Sequence, residues 1–283
     1  MSRRRLGNEL KQLRDDAGLT LDQAADALEC SSSKVSRLET GKGLPKQRDI
    51  RDLVRLYKAE ASLDRLLRLA RAGATAGWWQ QYTPILTSEP FVLDGADRYA
   101  ALEFDATRIT CFDGAVFHGL LQCPDYARLI LERAAAHLDA GEMAQLLEFR
   151  SRRQESLSRS ESPLELYQVI DESVLVRLVR GHRELARRQI EFVLREMERS
   201  NVEVGLLPFD AGFMRATQGS FAVIEFADSR DQDVVVVESH AGVSYLDGDF
   251  GVETYKAVFE DTRQVALTST ETYSELERTL STL

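Results

Sequence analysis

Between Ser31 and Gly41, five residues able to bond to a nucleic-acid base surround two aliphatic ones: Ser32, Ser33, Lys34, Ser36 and Arg37 around Val35 and Leu38. At helical spacing Val35 and Leu38 fall on one side, and the hydroxyls and cations are left outward. Short side chains let a helix backbone approach base edges, Arg or Lys can pair with guanine O6 and N7, and serine can donate or accept at several bases. The chemistry open to this set is recognition of a duplex.

Bond-making groups are scarcer. His118 and Cys123 are near enough in sequence to pair as base and nucleophile, but no third orienting residue or oxyanion motif accompanies them. A hydrogen-bonded histidine and a buried cysteine are expected instead. Asp171 and Glu172, at the start of a helix that follows a strand, complement the helix dipole more simply than they form an acid/base pair. Gly41 and Gly43 follow a helix rather than a strand, so no phosphate-cradling loop is read there. Cys30, Cys111 and Cys123 fit neither a disulfide framework nor Cys-x-x-Cys zinc spacing. The expectation is a protein that is not an enzyme, with no catalytic residue, cofactor or metal.

The outward set needs a scaffold, and the first seventy residues supply one. Leu6, Leu10, Leu13 and Ala17 share a helical face that Gly18 can end. Thr20 and Gln23 fit a capping box for a second helix, whose face is Leu21, Ala24, Ala25 and Leu28. Ser31 is the next N-cap, and the third helix runs to about Glu39, with Gly41 as a left-handed terminator. Ile50, Leu53, Val54 and Tyr57 give a fourth helix, and Leu63, Leu66, Leu67 and Ala70 a fifth. Two helices joined by a tight turn, the second carrying the polar face, form a helix-turn-helix arrangement.

Charge divides the chain the same way. Residues 1–72 hold 16 Lys/Arg and 11 Asp/Glu, while 73–283 hold 20 and 35, so a net +5 head precedes a net −15 body. Such asymmetry suggests a DNA-binding part with a separate second function. Arg3–Arg5 read either as a mobile arm reaching phosphate or the minor groove, or as a solvated tail. At 43% hydrophobic residues the chain can build ordinary cores. No apolar run approaches the roughly 20 residues of a membrane helix, and Asn8, Glu9 and Lys11 break any signal-peptide pattern. A soluble, cytoplasmic protein is expected.

Residues 6–58 resemble the phage-repressor-type (Cro/C1, or XRE) helix-turn-helix domain through Leu19-Thr20-Leu21-Asp22-Gln23-Ala24-Ala25 and Ser32-Ser33-Lys34-Val35-Ser36-Arg37-Leu38-Glu39-Thr40-Gly41-Lys42. The resemblance implies that Ser32, Ser33, Lys34, Ser36 and Arg37 face DNA, that Glu39 is structural, and that Lys42 and Lys46 lie near phosphate. One departure is Glu29-Cys30 in the turn, where the family often has glycine. Either Glu29 is strained, or the turn runs one residue differently.

Gly73–Gly77 is small and uncharged and reads as a hinge. Trp78 and Trp79 then read as aromatic anchors docking the linker onto the second domain, the alternative being the wall of an effector pocket. Beyond lies an α+β pattern. Ala96–Phe112 reads as one helix through Leu102, Ala106 and Ile109, and Ala115–Phe117 as a short strand. Further helices start at Pro124, lead from Met143 to Arg153, and pass through Ile190. Strands are expected at Leu164–Ile170, Val202–Leu207, Ser220–Phe226 and Val234–Glu238, and helices at Lys256–Leu267 and Ser269–Leu280. Glu103, Asp105 and Arg108 are expected in helix-surface or interdomain ion pairs.

This half resembles the DUF5753 module of actinobacterial, antitoxin-like Scr1-family regulators. The resemblance rests on Gly119-Leu120-Leu121-Gln122-x-Pro124-Asp125-Tyr126-Ala127-Arg128, with Glu103, Arg150-x-x-Arg153-Gln154, Asp171-Glu172, Val204-x-x-Leu207-Pro208-Phe209 and Gly219-Ser220-Phe221. Phe117-His118 departs from it where a proline usually precedes the glycine, and Cys123 replaces a hydroxyl residue. The resemblance implies a small DUF397-type protein partner.

The expected organisation is an all-α five-helix helix-turn-helix domain at 1–72, a hinge at 73–79, and a larger α+β regulatory or interaction domain at 80–283. The expected function is a dimeric, sequence-specific transcriptional regulator, a repressor, acting on a double-stranded operator. The competing reading is an antitoxin-like protein that neutralises the small partner and binds DNA for autoregulation.

Overall fold

The computed structural model describes residues 2–41, 43–74, 77–86, 96–135, 137–227, 231–239 and 242–283. Lys42 and residues 75–76 of the segment read as a hinge lie outside the described residues. The chain divides into two compact units, Met1–Trp78 and Trp79–Leu283.

The first unit contains α1 (Ser2–Asp16), α2 (Leu21–Ala27), α3 (Ser32–Glu39), α4 (Gln47–Leu56) and α5 (Leu63–Ala74). One apolar stripe from each helix meets in a single core, with Leu6, Leu10, Ala24, Ala25, Val35, Ile50 and Leu66 buried together. Local bonds fix the ends. Thr20 Oγ1 accepts from the Gln23 amide at 3.2 Å, and the Gln23 side chain accepts from the Thr20 amide at 2.8 Å. Gly18 (φ +67°) and Gly41 (φ +70°) terminate α1 and α3 in the left-handed region.

Two expectations need correcting or narrowing here. Arg3–Arg5, read as a reaching arm or a solvated tail, have helical backbone, because α1 begins at Ser2. Nothing in that stretch breaks a helix, and Arg5 pairs with Glu9 one turn on (3.6 Å). Gly73 and Ala74 of the supposed hinge are the last residues of α5, and Trp78 opens a 3-10 segment running to Tyr82.

The second unit contains α6 (Thr83–Leu86), α7 (Ala96–Asp105), β1 (Arg108–Asp113), α8 (Pro124–Ala134), α9 (Ala140–Gln154), β2 (Glu165–Asp171), α10 (Glu172–Gly181) and α11 (Arg183–Met197). It continues with β3 (Val202–Leu207), β4 (Phe221–Glu225), β5 (Val234–Ser239), β6 (Gly242–Leu246), α12 (Asp249–Val265) and α13 (Ser269–Thr282). The strands form one six-stranded sheet in the order β3-β2-β1-β4-β5-β6. β1, β2 and β3 run parallel, while β4, β5 and β6 are antiparallel to their neighbours. β1 is therefore where the sheet changes direction.

Strand alternation feeds two cores. Ile109, Cys111, Leu166, Ile170, Ile224 and Val236 bury against helices on one face. Phe112, Val169, Phe221, Val223 and Val235 meet Val258 and Phe259 of α12 on the other. The segment read as one helix over Ala96–Phe112 is α7 followed by β1, and Ala115–Phe117 is the loop after that strand. The error has a physical cause. A central strand covered on both faces shows no polar alternation, so Ile109 continued the helical spacing of Leu102 and Ala106 by coincidence. β6 is an edge strand with exposed alternate positions, and its short, half-polar run carries no strand signal in the sequence.

Candidate nucleic-acid interface

α3 is held from behind by more than its two aliphatic residues. Val35 and Leu38 are 0% and 3% exposed, and Glu39 beside them is 5% exposed. Arg14 of α1 clamps that carboxylate, with Nε and Nη2 donating to its two oxygens at 2.7 and 2.9 Å. Arg14 Nη1 also donates to the Leu19 carbonyl at 2.8 Å, tying the end of α1 into the same knot. The hydrogen bonds to Glu39 raise the Arg14 pKa. The sequence marked Glu39 as structural but gave no sign of its partner.

A second contact passed unnoticed in the sequence. A Cβ placed on Gly7 would lie 2.5 Å from the Glu39 carbonyl oxygen and 2.6 Å from that of Leu38. α1 and the C-terminal end of α3 therefore touch backbone to backbone, and only glycine fits between them.

The outward set is divided by its internal partners. The Ser32 hydroxyl donates to Asp22 of α2. Lys34 Nζ lies 3.4 Å from Asp49 of α4, whose carboxylate also accepts the Lys46 amide at 3.3 Å. These carboxylates orient α3 against its neighbours. Ser33 and Arg37 are exposed, and neither side chain has a polar partner among the described residues. Ser36 is half-buried, and its carbonyl accepts from the Thr40 hydroxyl at 2.8 Å. Lys46 is exposed at the N-cap of α4, close in sequence to Arg48, which the sequence reading passed over and whose side chain is 84% exposed.

The turn into α3 resolves the departure at Glu29. The Cys30 amide donates to the Ala25 carbonyl (3.0 Å) and the Glu29 amide to that of Asp26 (3.1 Å), with Glu29 at φ +51°. This is a Schellman ending of α2, with a glutamate at the left-handed position where glycine is usual. Of the two readings, strain is the correct one. Glu29→Gly should raise the stability of this unit by about 0.5–1 kcal/mol, because relief of the Cβ clash outweighs the extra freedom given to the unfolded chain. Thermal melts of the full chain would check it, and a lowered midpoint would reject the strain.

The groups in the second unit weighed for chemistry have structural partners. His118 is buried and its Nε2 lies 2.9 Å from the Tyr99 hydroxyl, while desolvation pushes its pKa down to about 3. The Cys123 amide donates to Gln189, and burial raises its thiol pKa. Asp171 caps α10 by accepting from the Ser173 amide at 2.9 Å, and Glu172 accepts from the Phe209 amide at 2.8 Å. Glu103 is no surface residue: it is 1% exposed and grips Arg153 through two bonds of 2.9 and 2.8 Å inside this unit. Arg108 pairs with Glu165 on the adjoining strand. The Trp79 ring packs against Phe104 at 5.4 Å between centroids.

Two family models match the chain: residues 5–67 match a helix-turn-helix domain, and residues 96–278 match a domain of unknown function, DUF5753. No curated protein and no solved structure matches it. Among the described residues, no helix is long and apolar enough to cross a membrane.

Proposed function

The chain belongs to the DUF5753 family and carries a helix-turn-helix domain before that module, and from this premise we propose that it is a sequence-specific, DNA-binding transcriptional repressor acting as a homodimer. The observation that carries the reading is the division of α3. Its inner side is locked by Val35, Leu38 and the Arg14–Glu39 clamp, while Arg37 and Ser33 stay exposed and unengaged. An exposed guanidinium on a rigid helix is preorganised for bidentate bonding to guanine. Ser32, Lys34 and Ser36 complete the base-facing set, with Ser32 and Lys34 exchanging carboxylate partners for DNA or holding α3 in register. Lys42 and Lys46 supply the salt-sensitive phosphate contacts. A dimer presents two copies of α3 about one DNA turn apart to a near-palindromic operator.

The test is a binding titration on the footprinted operator. Arg37→Ala should cost about 1–3 kcal/mol and relax preference at one base position. Unchanged affinity and sequence preference would sink the assignment.

A further inference from the structure

The second unit contains a cavity of about 300 Å³ at the carboxyl end of β1, where the sheet changes from parallel to antiparallel. In open α/β sheets the carboxyl ends of the parallel strands are where a ligand crevice commonly lies. The cavity is walled by apolar side chains, among them Phe117, Leu131, Leu146, Phe149 and Val243. Set into this apolar wall are two guanidiniums with very different surroundings.

Arg153 is neutralised by the buried Glu103. Arg150, one helical turn earlier on α9, has a single hydrogen-bond partner among the described residues, the neutral carboxamide of Gln122. Burial, and the like charge of Arg153, lower its pKa to about 10, so it remains a cation at neutral pH whose desolvation Glu238 offsets only in part. Two carboxylates on the wall weigh against a deficit of negative charge, and neither removes it. Burial pushes the Asp113 carboxyl up to about 7, so it is only partly ionised. Glu238 is exposed, where water and salt screen it.

A second donor faces the same space. The Leu120 amide points at His118 Nδ1 (3.4 Å), which makes Nδ1 the acceptor of the neutral ring and places the ring proton on Nε2. Nε2–H then donates to the Tyr99 oxygen at 2.9 Å, leaving the phenolic proton free to be donated onward. Desolvation raises the Tyr99 pKa well above its ordinary value, so that proton is retained. Tyr99 and His118 both line the cavity, as do Arg150 and Gln122.

We propose that this cavity binds a small organic acid, its carboxylate held by Arg150 and the Tyr99 hydroxyl and its apolar body packed against Phe117, Phe149 and their neighbours. A carboxylate supplies the full counter-charge that Arg150 lacks and the acceptor that Tyr99 lacks among the described residues, and a hydrocarbon or aromatic body fits the apolar part of the wall. The inference makes the DUF5753 module a ligand-binding domain, and it stands whether or not α3 reads DNA.

Calorimetric titration of the full-length protein with benzoate, 2-naphthoate and 4-phenylbutyrate, each paired with its neutral primary amide, tests it. At least one acid should bind at one site per chain, and its amide should bind about 10–100-fold more weakly, the worth of one charge-assisted bond. Arg150→Gln should cause a loss of the same size. Tyr99→Phe, which removes one hydroxyl and preserves the packing, should weaken binding several-fold and keeps the test valid if the arginine variant does not fold. No binding by any of the acids at millimolar concentration, equal binding of acid and amide, or wild-type affinity in the folded variants would each overturn the proposal.

Discussion

Glu39→Ala is expected to destabilise the helical unit by about 3–5 kcal/mol, because it leaves the Arg14 guanidinium buried without its bidentate partner. Breaking one side of a buried pair removes the compensation but leaves the desolvation cost. Arg14 would keep the Leu19 carbonyl at 2.8 Å and Asp15 at 2.6 Å. Asp15 is half exposed, which softens the loss without replacing what Glu39 provides. Amide hydrogen exchange across residues 6–70 of the full chain measures this where it occurs. Protection in α1 and α3 should fall steeply, and wild-type protection would show that the pair holds nothing together. The double variant Arg14→Met/Glu39→Leu should recover most of the loss, since apolar residues of similar volume need no ionic compensation. Operator binding should follow stability in this series, although neither side chain belongs to the outward set.

Gly7→Ala should be nearly as damaging, at about 3 kcal/mol, and its sign is the informative part. In an exposed helix interior the same change stabilises by about 0.5–1 kcal/mol. Here the new methyl would meet the Leu38 and Glu39 backbone at 2.5–2.8 Å, and backbone cannot swing aside as a long side chain does. α1 must separate from the end of α3, which strains the Arg14–Glu39 clamp as well. Gly181, at the end of α10, has no atom within 4 Å of its added Cβ and serves as the control. Thermal melts of Gly7→Ala and Gly181→Ala should move in opposite directions or differ by several degrees. If both midpoints stayed at the wild-type value, the close approach would be refuted.

Most of the first unit could be read from the chain because its signals are short-ranged. A capping box spans Thr20 to Gln23, a helix face repeats every three or four residues, and a left-handed stop is one glycine such as Gly18 or Gly41. Glu29 was flagged by comparison with a glycine-bearing pattern, and its backbone angle explains why glycine is favoured there. The second unit was harder. β1 reads as the end of a helix because its two faces are buried in two cores, Ile109 and Cys111 in one and Phe112 in the other, built from distant segments that no local period records. The organic-acid cavity was invisible in sequence for the same reason. Tyr99, His118, Arg150 and Val243 belong to four separate segments, and the motif around Gly119–Arg128 gave no sign that its Gln122 faces the Arg150 guanidinium.

By itself the sequence determined which segments of the first unit become helices, where they stop, and that α3 turns hydroxyls and cations away from its core. These follow from interactions within about one turn of chain, whose energies are set by neighbours that the covalent order already supplies. Tertiary structure alone decided what braces α3 and what the second unit encloses. Arg14 meets Glu39 across 25 residues and Arg153 meets Glu103 across 50, while Arg150, among the described residues, hydrogen-bonds only to an amide. Which buried charge finds a counterion and which does not is fixed only when distant segments are brought into a medium too apolar to hydrate either one.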